Sequence, residues 1–362
     1  MRVGSIVGAR SELVRCAPVL RALAGQGPLL FHTGAAFDYG TTPEFYADLG
    51  LPLPDHDLNL GRGTTAERVG AMQRALVPLL QTTRPDWVLV YGSSAATLAG
   101  ALAATKVGVP VGHVEAGVRS YRRDTPDELY PLIVDQLASL HFCPTPQAVR
   151  TLEEEGIGGL HNVGDVLLDN VLHFLGAGPP MVPEAELWAA LGLEGPTDIA
   201  FATVHHHENT HDRRRLSALI EALSALPIRV VLPLHPRSQE QLAAQPELVA
   251  RIGPNVLIVD PLRPKMTLAA VARSKVVLTD SGGLQREAYY LGVPCITLRD
   301  GTEWVDTLDL SANTVAGADG AAIAAAVRLI LALPPNKGPV PVRGPFGQGD
   351  AARRIVEILA RP

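Results

Sequence analysis

Residues 278–304 read LTDSGGLQREAYYLGVPCITLRDGTEW. An apolar run stops at Thr279–Asp280, a Ser-Gly-Gly turn follows, and a helix-forming stretch opens at once. In such a strand–turn–helix unit the strand's carboxyl end and the free N–H groups of the first helical turn share one side. Ser281 adds a hydroxyl, and Gly282 and Gly283 permit close approach to the backbone, so the turn is a candidate cradle for a diphosphate. Glu287 follows about one and a half turns later, where a carboxylate can accept both hydroxyls of a ribose. The linked glutamate distinguishes this segment from a plain Gly-rich helix start and points to a nucleoside diphosphate.

The same punctuation recurs outward in both directions. Short β-branched or apolar runs at 2–7, 29–33, 87–91, 110–114 and 140–143 alternate with helix-like stretches after Glu12, Thr64, Ala95, Asp127 and Pro146. A second series has strands at 199–204, 230–234, 256–259, 276–279 and 295–297, with helices near Arg213, Lys265, Gly283 and Gly320. The predicted class is α/β, two doubly wound Rossmann-like domains in series with a ligand cleft between the carboxyl ends of their strands. The boundaries read as an N-terminal domain over 1–170 and a nucleotide-binding domain over 171–349, followed by an amphipathic helix within 350–362.

Composition narrows the function. The chain has 362 residues, 47% of them hydrophobic and 19% charged, which suits two buried cores and excludes disorder. No apolar window reaches membrane-span length, and the N-terminus lacks the hydrophobic region of a signal peptide, so a cytoplasmic protein with no membrane partner is expected. A net charge of −6 gives no general attraction to nucleic acid. The three cysteines, Cys16, Cys143 and Cys295, form no CxxC pair, which speaks against disulfides and zinc.

Four further strand ends carry candidate chemistry. GARSE at 8–12 opens a helix without a GxGxxG pattern, disfavouring a nicotinamide site, and Arg10 with Arg15 can face diphosphate charge. In GHVEAGVRSYRRDTPDELY, residues 112–130, His113 and Glu115 alternate on one side of a strand end, and Asp127 and Glu128 open the next helix. Glu115 is the better acid/base candidate there, with Asp127 second; Glu128 suits a helix N-terminus. In TVHHHENT, 203–210, extended chain leaves only His205 and His207 on one face with no nearby Cys or Asp partner, so His205 reads as a lone site histidine and no metal is expected. His235 in LPLHPRS is a second histidine candidate.

Together these segments resemble the non-hydrolysing UDP-N-acetylglucosamine 2-epimerase family. The resemblance runs in order through GARSELVRCAP, HTGAAFDYG, RPDWVLVYGSSAATLAGALAA, VPVGHVEAGVRS, TPDEL, HFCPT, NVGDVLLD, TVHHHEN, LPLHPRS, LTDSGGLQREA and GPFGQGD. It implies a GT-B-like fold whose last helix packs back on the first domain, a UDP-sugar substrate, no external cofactor, and a homodimer. The implied reaction eliminates UDP across C1–C2 and adds it back after the proton returns to the other face. By motif position Glu115 matches an acid/base glutamate and His205 a site histidine, while Arg10, Ser281, Gly282, Gly283 and Glu287 match nucleotide contacts.

Departures concentrate at the sugar end. The family's GDT is Gly92-Ser93-Ser94, so Ser93 replaces an aspartate; PEE is Pro126-Asp127-Glu128, with Pro131 replacing an arginine. HRRE is His205-His206-His207-Glu208, the TERPE arginine is Trp304, and TGQH is Thr33-Gly34-Ala35-Ala36. The expected function is a UDP-sugar 2-epimerase acting on UDP-N-acetylglucosamine or a modified sugar such as a diacetamido uronate. The alternatives are a hydrolase that releases UDP and free sugar, and a nucleotide-sugar-binding protein or transferase without epimerase chemistry.

Overall fold

The computed structural model describes residues 1–34, 41–61, 63–122, 126–176, 181–234, 236–334 and 344–361, leaving aside the side chains of residues 65, 126, 127, 236 and 237. His235 and the Asp127 side chain therefore lie outside the described residues. The chain divides into two compact units, Met1–Leu172 with Arg343–Pro362, and His173–Val342.

The first unit is built on strands β1 (Val3–Val7), β2 (Leu29–His32), β3 (His56–Asp57), β4 (Trp87–Tyr91), β5 (Val111–Val114), β6 (Leu140–Cys143) and β7 (Leu160–Asn162). They form one parallel sheet in the order β3-β2-β1-β4-β5-β6-β7. Every residue of β1 and β5 is buried, as parallel strands covered on both faces require. Ile6, Phe31, Val88, Val90 and Val111 pack against Leu76 and Leu80 of helix Thr65–Thr83 and the Ala-rich helix Ala95–Lys106.

The second unit contains β8 (Ile199–Thr203), β9 (Arg229–Pro233), β10 (Val256–Val259), β11 (Ser274–Thr279), β12 (Cys295–Thr297) and β13 (Asn313–Val315). Its parallel sheet runs β10-β9-β8-β11-β12-β13. Val230, Leu232, Val276, Leu278 and Ile296 meet Leu219 and Leu223 of helix Arg213–Ser224 and Ile323 and Val327 of helix Gly320–Leu331. Both units are doubly wound, in agreement with the alternation in the sequence. The order reverses beside β1 in one and beside β8 in the other, and loops at such reversals diverge to leave a crevice.

The final helix, Ala351–Leu359, buries Ala351, Ala352, Ile355 and Leu359 within the first unit. Asp169, on helix Val166–Gly176, accepts its first N–H groups, from Ala351 at 3.1 Å and Ala352 at 2.7 Å. This carboxylate answers donors that the helix's own ladder leaves open. Among the described residues no helix is long and apolar enough to cross a membrane.

Candidate active site

In the first unit the loops after β1 and β4 flank the reversal, and one buried carboxylate locks them. Glu12 Oε2 accepts the backbone N–H groups of Gly8 and Ala9, both at 2.7 Å. Its Oε1 takes the hydroxyls of Ser94 and, at 2.9 Å, Thr97. Ser94 in turn caps helix Ala95–Lys106 through the N–H groups of Ala96 and Thr97. The helix after β1 begins at Arg10, earlier than the sequence suggested, so Glu12 stands in its first turn, where a carboxylate is favoured. The Arg10 guanidinium carbon lies 4.7 Å from the Phe45 ring centre.

Glu115 follows the last residue of β5 and is buried, at 6% exposure. Its φ is +68°, a left-handed conformation costing a non-glycine residue about 1–2 kcal/mol. Arg15 Nε stands 2.7 Å from its Oε2, and its N–H donates to the Phe142 carbonyl at 3.1 Å. Gly92, with φ +65°, brings the β4 turn against this pair; a Cβ there would lie 3.6 Å from the Arg15 guanidinium and 3.7 Å from Glu115 Oε2. Ser93 is the next residue, half-buried in the same turn.

One expectation from sequence is corrected here. His113 and Glu115 do not share a side: the left-handed residue breaks the strand alternation. His113, fully buried, turns to Asp135 and the Gly92 carbonyl, whereas Glu115 turns to Arg15. Arg15, on the helix after β1, is ion-paired with Glu115. Glu128 accepts from the backbone N–H and hydroxyl of Ser120, at 2.6 and 2.8 Å, and so fixes the loop ahead of its helix.

In the second unit the loops after β8 and β11 flank the reversal. Asp280, 1% exposed, accepts the N–H groups of His205 and His206, each at 2.9 Å, and the side-chain amide of Asn209 at 3.0 Å. His205 Nδ1 lies 3.3 Å from Asp280 Oδ1, and the His205 side chain is 37% exposed. No Asp stands near His205 in the sequence; the parallel pairing of β8 with β11 brings Asp280 to it. Nor do His205 and His207 share an extended face, because a short helix starts at His207, whose ring stacks on His211 at 3.7 Å.

Ser281 caps helix Gly282–Tyr290, its hydroxyl accepting from Leu284 N–H at 3.4 Å. Gly282 is required by the protein itself: a Cβ would lie 2.5 Å from both Glu303 Oε1 and Trp304 Nε1. The missing Cβ makes room there for these two side chains. Trp304 is buried, and the fully buried Arg286 places its guanidinium carbon 3.4 Å from the indole ring centre while Nε donates to the Gly282 carbonyl at 3.3 Å. Arg286 and Trp304 thus form a buried cation–π contact beside the turn. Glu287 is half-buried on the same helix. A separate cavity of about 510 Å³, lined in part by Gln239, Ile258, Asp260 and Leu262, contains none of the residues singled out from sequence.

The model of the UDP-N-acetylglucosamine 2-epimerase family matches residues 24–360. The chain belongs to this family. It is an isomerase of the epimerase kind, built from two Rossmann-like units of the GT-B-like fold. This epimerase-family chain is 36% identical to the UDP-2,3-diacetamido-2,3-dideoxy-D-glucuronate 2-epimerase of Pseudomonas aeruginosa, over 100% of each chain. It is 32% identical to a UDP-N-acetylglucosamine 2-epimerase of Methanococcus maripaludis, over 99% of this chain and 98% of that one. The Methanocaldococcus jannaschii UDP-GlcNAc 2-epimerase, solved in complex with UDP-GlcNAc and UDP, superposes with a TM-score of 0.91 at 31% identity, over 99% of both chains.

Proposed function

We propose that this epimerase acts on UDP-N-acetylglucosamine or a modified 2-acetamido relative. The C2 proton leaves, the C1–oxygen bond to UDP breaks, and a C1–C2 double bond forms in the enzyme-held glycal. UDP then bonds again to C1 as a proton adds to the opposite face of C2. The observation that carries this reading is Glu115: a buried glutamate held in a left-handed conformation at a strand end, paired to Arg15 at 2.7 Å. Strained non-glycine backbone persists where the surroundings over-determine it, and it concentrates at functional sites.

Glu115 serves as the acid/base group for C2, with Arg15 holding its carboxylate in place. His205, oriented by Asp280, is a second proton-carrying group, and Asp127 a further acid candidate. Arg10, Ser281 and the Gly282-Gly283 turn hold the diphosphate, Glu287 the ribose, and His235 is a further contact. Ser93 lies at the sugar. A hydroxyl there removes one negative charge relative to the family's aspartate, which suits an anionic sugar such as a 2,3-diacetamido uronate. A homodimer in the cytoplasm, working without an external cofactor, completes the reading.

Incubation with each UDP-sugar in D2O, followed by NMR at C2, tests it. Deuterated 2-epimer is the expected product. Free sugar plus UDP would instead assign a hydrolase, and unchanged ligand a binding protein.

A further inference from the structure

Beneath the Gly92–Ser93 turn lies a buried charge network that the proposed reaction does not use. His113 Nδ1 is 2.6 Å from Asp135 Oδ1, and its Nε2 is 2.8 Å from the Gly92 carbonyl oxygen. Asp135 Oδ2 meets Arg119 at 2.6 Å and Gly117 N–H at 3.3 Å, and the same Arg119 nitrogen lies 2.7 Å from Glu155. His141 completes the surroundings, its Nε2 lying 2.8 Å from the Asp135 carbonyl. On the other side of Gly92 stands the Arg15–Glu115 pair.

A carbonyl oxygen has only lone pairs to offer, and so has an ionised carboxylate. A neutral imidazole carries one N–H and can satisfy one of them; two require both ring nitrogens to be protonated. Burial opposes ionisation of Asp135, but His113 and Arg119 outweigh it and hold the carboxyl below its ordinary value. With His113 charged, two cations, His113 and Arg119, face two carboxylates, Asp135 and Glu155. His113 and Arg119 each contact Asp135 in the interior, and Glu155 pairs with Arg119 at the solvent-exposed end of the network.

The Gly92 carbonyl belongs to the peptide that carries the Ser93 N–H. In a planar trans peptide these two groups point in opposite directions, so a carbonyl held by His113 turns the Ser93 N–H away from the network. Gly92 N–H is itself fixed on the Val114 carbonyl at 3.0 Å, one residue before Glu115. Neither the Ser93 N–H nor its hydroxyl has a hydrogen-bond partner among the described residues.

We propose that His113 is held as an imidazolium by Asp135 and the Gly92 carbonyl, and that it is the positioning residue that aims the Ser93 donors beside Glu115. Its protonation state is independent of the proposed reaction; the catalytic consequence rests on that reading. The test is nitrogen NMR of the full-length protein labelled in histidine, with the His113 signals assigned by their loss in His113→Gln. Both ring nitrogens are expected to be protonated at neutral pH, one facing Asp135 and the other the Gly92 carbonyl. A signal from an unprotonated ring nitrogen at neutral pH would overturn the imidazolium. His113→Gln is expected to lower kcat by about 10²-fold with KM little changed, because the group moved is aimed and not bound; an unchanged kcat would overturn the positioning role. Asp135→Asn gives a second reading on a gentler change: one ring nitrogen should lose its proton, and full retention of both would overturn the assignment to Asp135. If the parent epimerises no UDP-sugar, the proposed function falls while the NMR result still decides the state of His113.

Discussion

Asp280→Asn is the change that most directly couples the second unit's architecture to its candidate chemistry. The carboxylate is buried, and its Oδ2 accepts three hydrogen bonds at 2.9–3.0 Å, from His205 N, His206 N and Asn209 Nδ2. An asparagine oxygen can take the same place and keep all three, but each loses its charge assistance, a difference of about 1 kcal/mol per bond. The amide NH2 would occupy the Oδ1 position, 3.1 Å from the His205 N–H, donor against donor. Against this total of about 3 kcal/mol stands the desolvation that an ionised group no longer costs, leaving a net loss of about 2 kcal/mol. Urea unfolding followed by tryptophan fluorescence can measure it, since Trp188 and Trp304 lie in the second unit and Trp87 in the first. The loss should fall on the second unit's transition, and kcat should drop as His205 loses its anchor. A stability change below about 0.5 kcal/mol together with unchanged turnover would refute the idea that Asp280 sets the His205 loop.

Glu115→Gln should reduce turnover by about 10²–10⁴-fold while calorimetry finds UDP affinity nearly unchanged, since an acid/base group acts in the transition state. Glu287→Ala should weaken UDP far more than inorganic phosphate; equal weakening of both would remove the ribose assignment. Ser93→Asp is expected to raise C2 exchange on UDP-N-acetylglucosamine by restoring a carboxylate, and no gain in a folded, UDP-binding variant would favour an anionic sugar. Asp169 supplies a pH signature of stability: burial first, then the neighbouring Asp165 and Asp350, raise its carboxyl from 3.8 to about 6 against the opposing Ala351 and Ala352 hydrogen bonds. The fold therefore prefers it protonated, so its contribution is complete below about pH 4 and is lost as pH rises through about 6, a fall of about 3 kcal/mol. Asp169→Asn should flatten that part of the parent's stability curve, and an unaltered slope in the variant would remove the assignment.

The central strands were legible because a parallel strand buried on both faces is largely apolar: Trp87–Tyr91 was read to the residue, and so was Leu140–Cys143, whose one polar residue, His141, is hydrogen-bonded to the Asp135 carbonyl. β3, β7 and β13 were missed, and each is an edge strand of two or three residues, HD, LHN and NTV, with no apolar run to announce it. The same contrast holds at the candidate site. Glu115 and Ser281 stand in motifs whose local pattern names them. Glu12 and Asp280 do not, because their partners are remote: Ser94 is 82 residues from Glu12, and His205 is 75 from Asp280. The Glu12 signal that sequence does carry is an acidic residue in a helix's first turn, a feature too common to single out. His113 was visible but misassigned, since alternation assumes that the strand continues through Glu115.

The two units also solve one structural problem in the same way. At each reversal of strand order the neighbouring loops must be held apart from one another and yet fixed, and a single buried carboxylate does it by accepting two consecutive backbone N–H groups. Glu12 takes Gly8 and Ala9 and reaches across to Ser94 and Thr97; Asp280 takes His205 and His206 from across the reversal. Because the loop backbones are set from below, the residues at their outer edge carry little of the fold. Ser93 is one such residue, and a family aspartate can become a serine there without disturbing the Glu12 lock. Trp304 is the opposite case: it packs against Gly282, and its ring lies 3.4 Å from the Arg286 guanidinium carbon, so a change there reaches the start of helix Gly282–Tyr290. Substitutions at Ser93 should therefore leave the first unit's lock intact, while those at Trp304 should disturb the packing around Gly282 and Arg286.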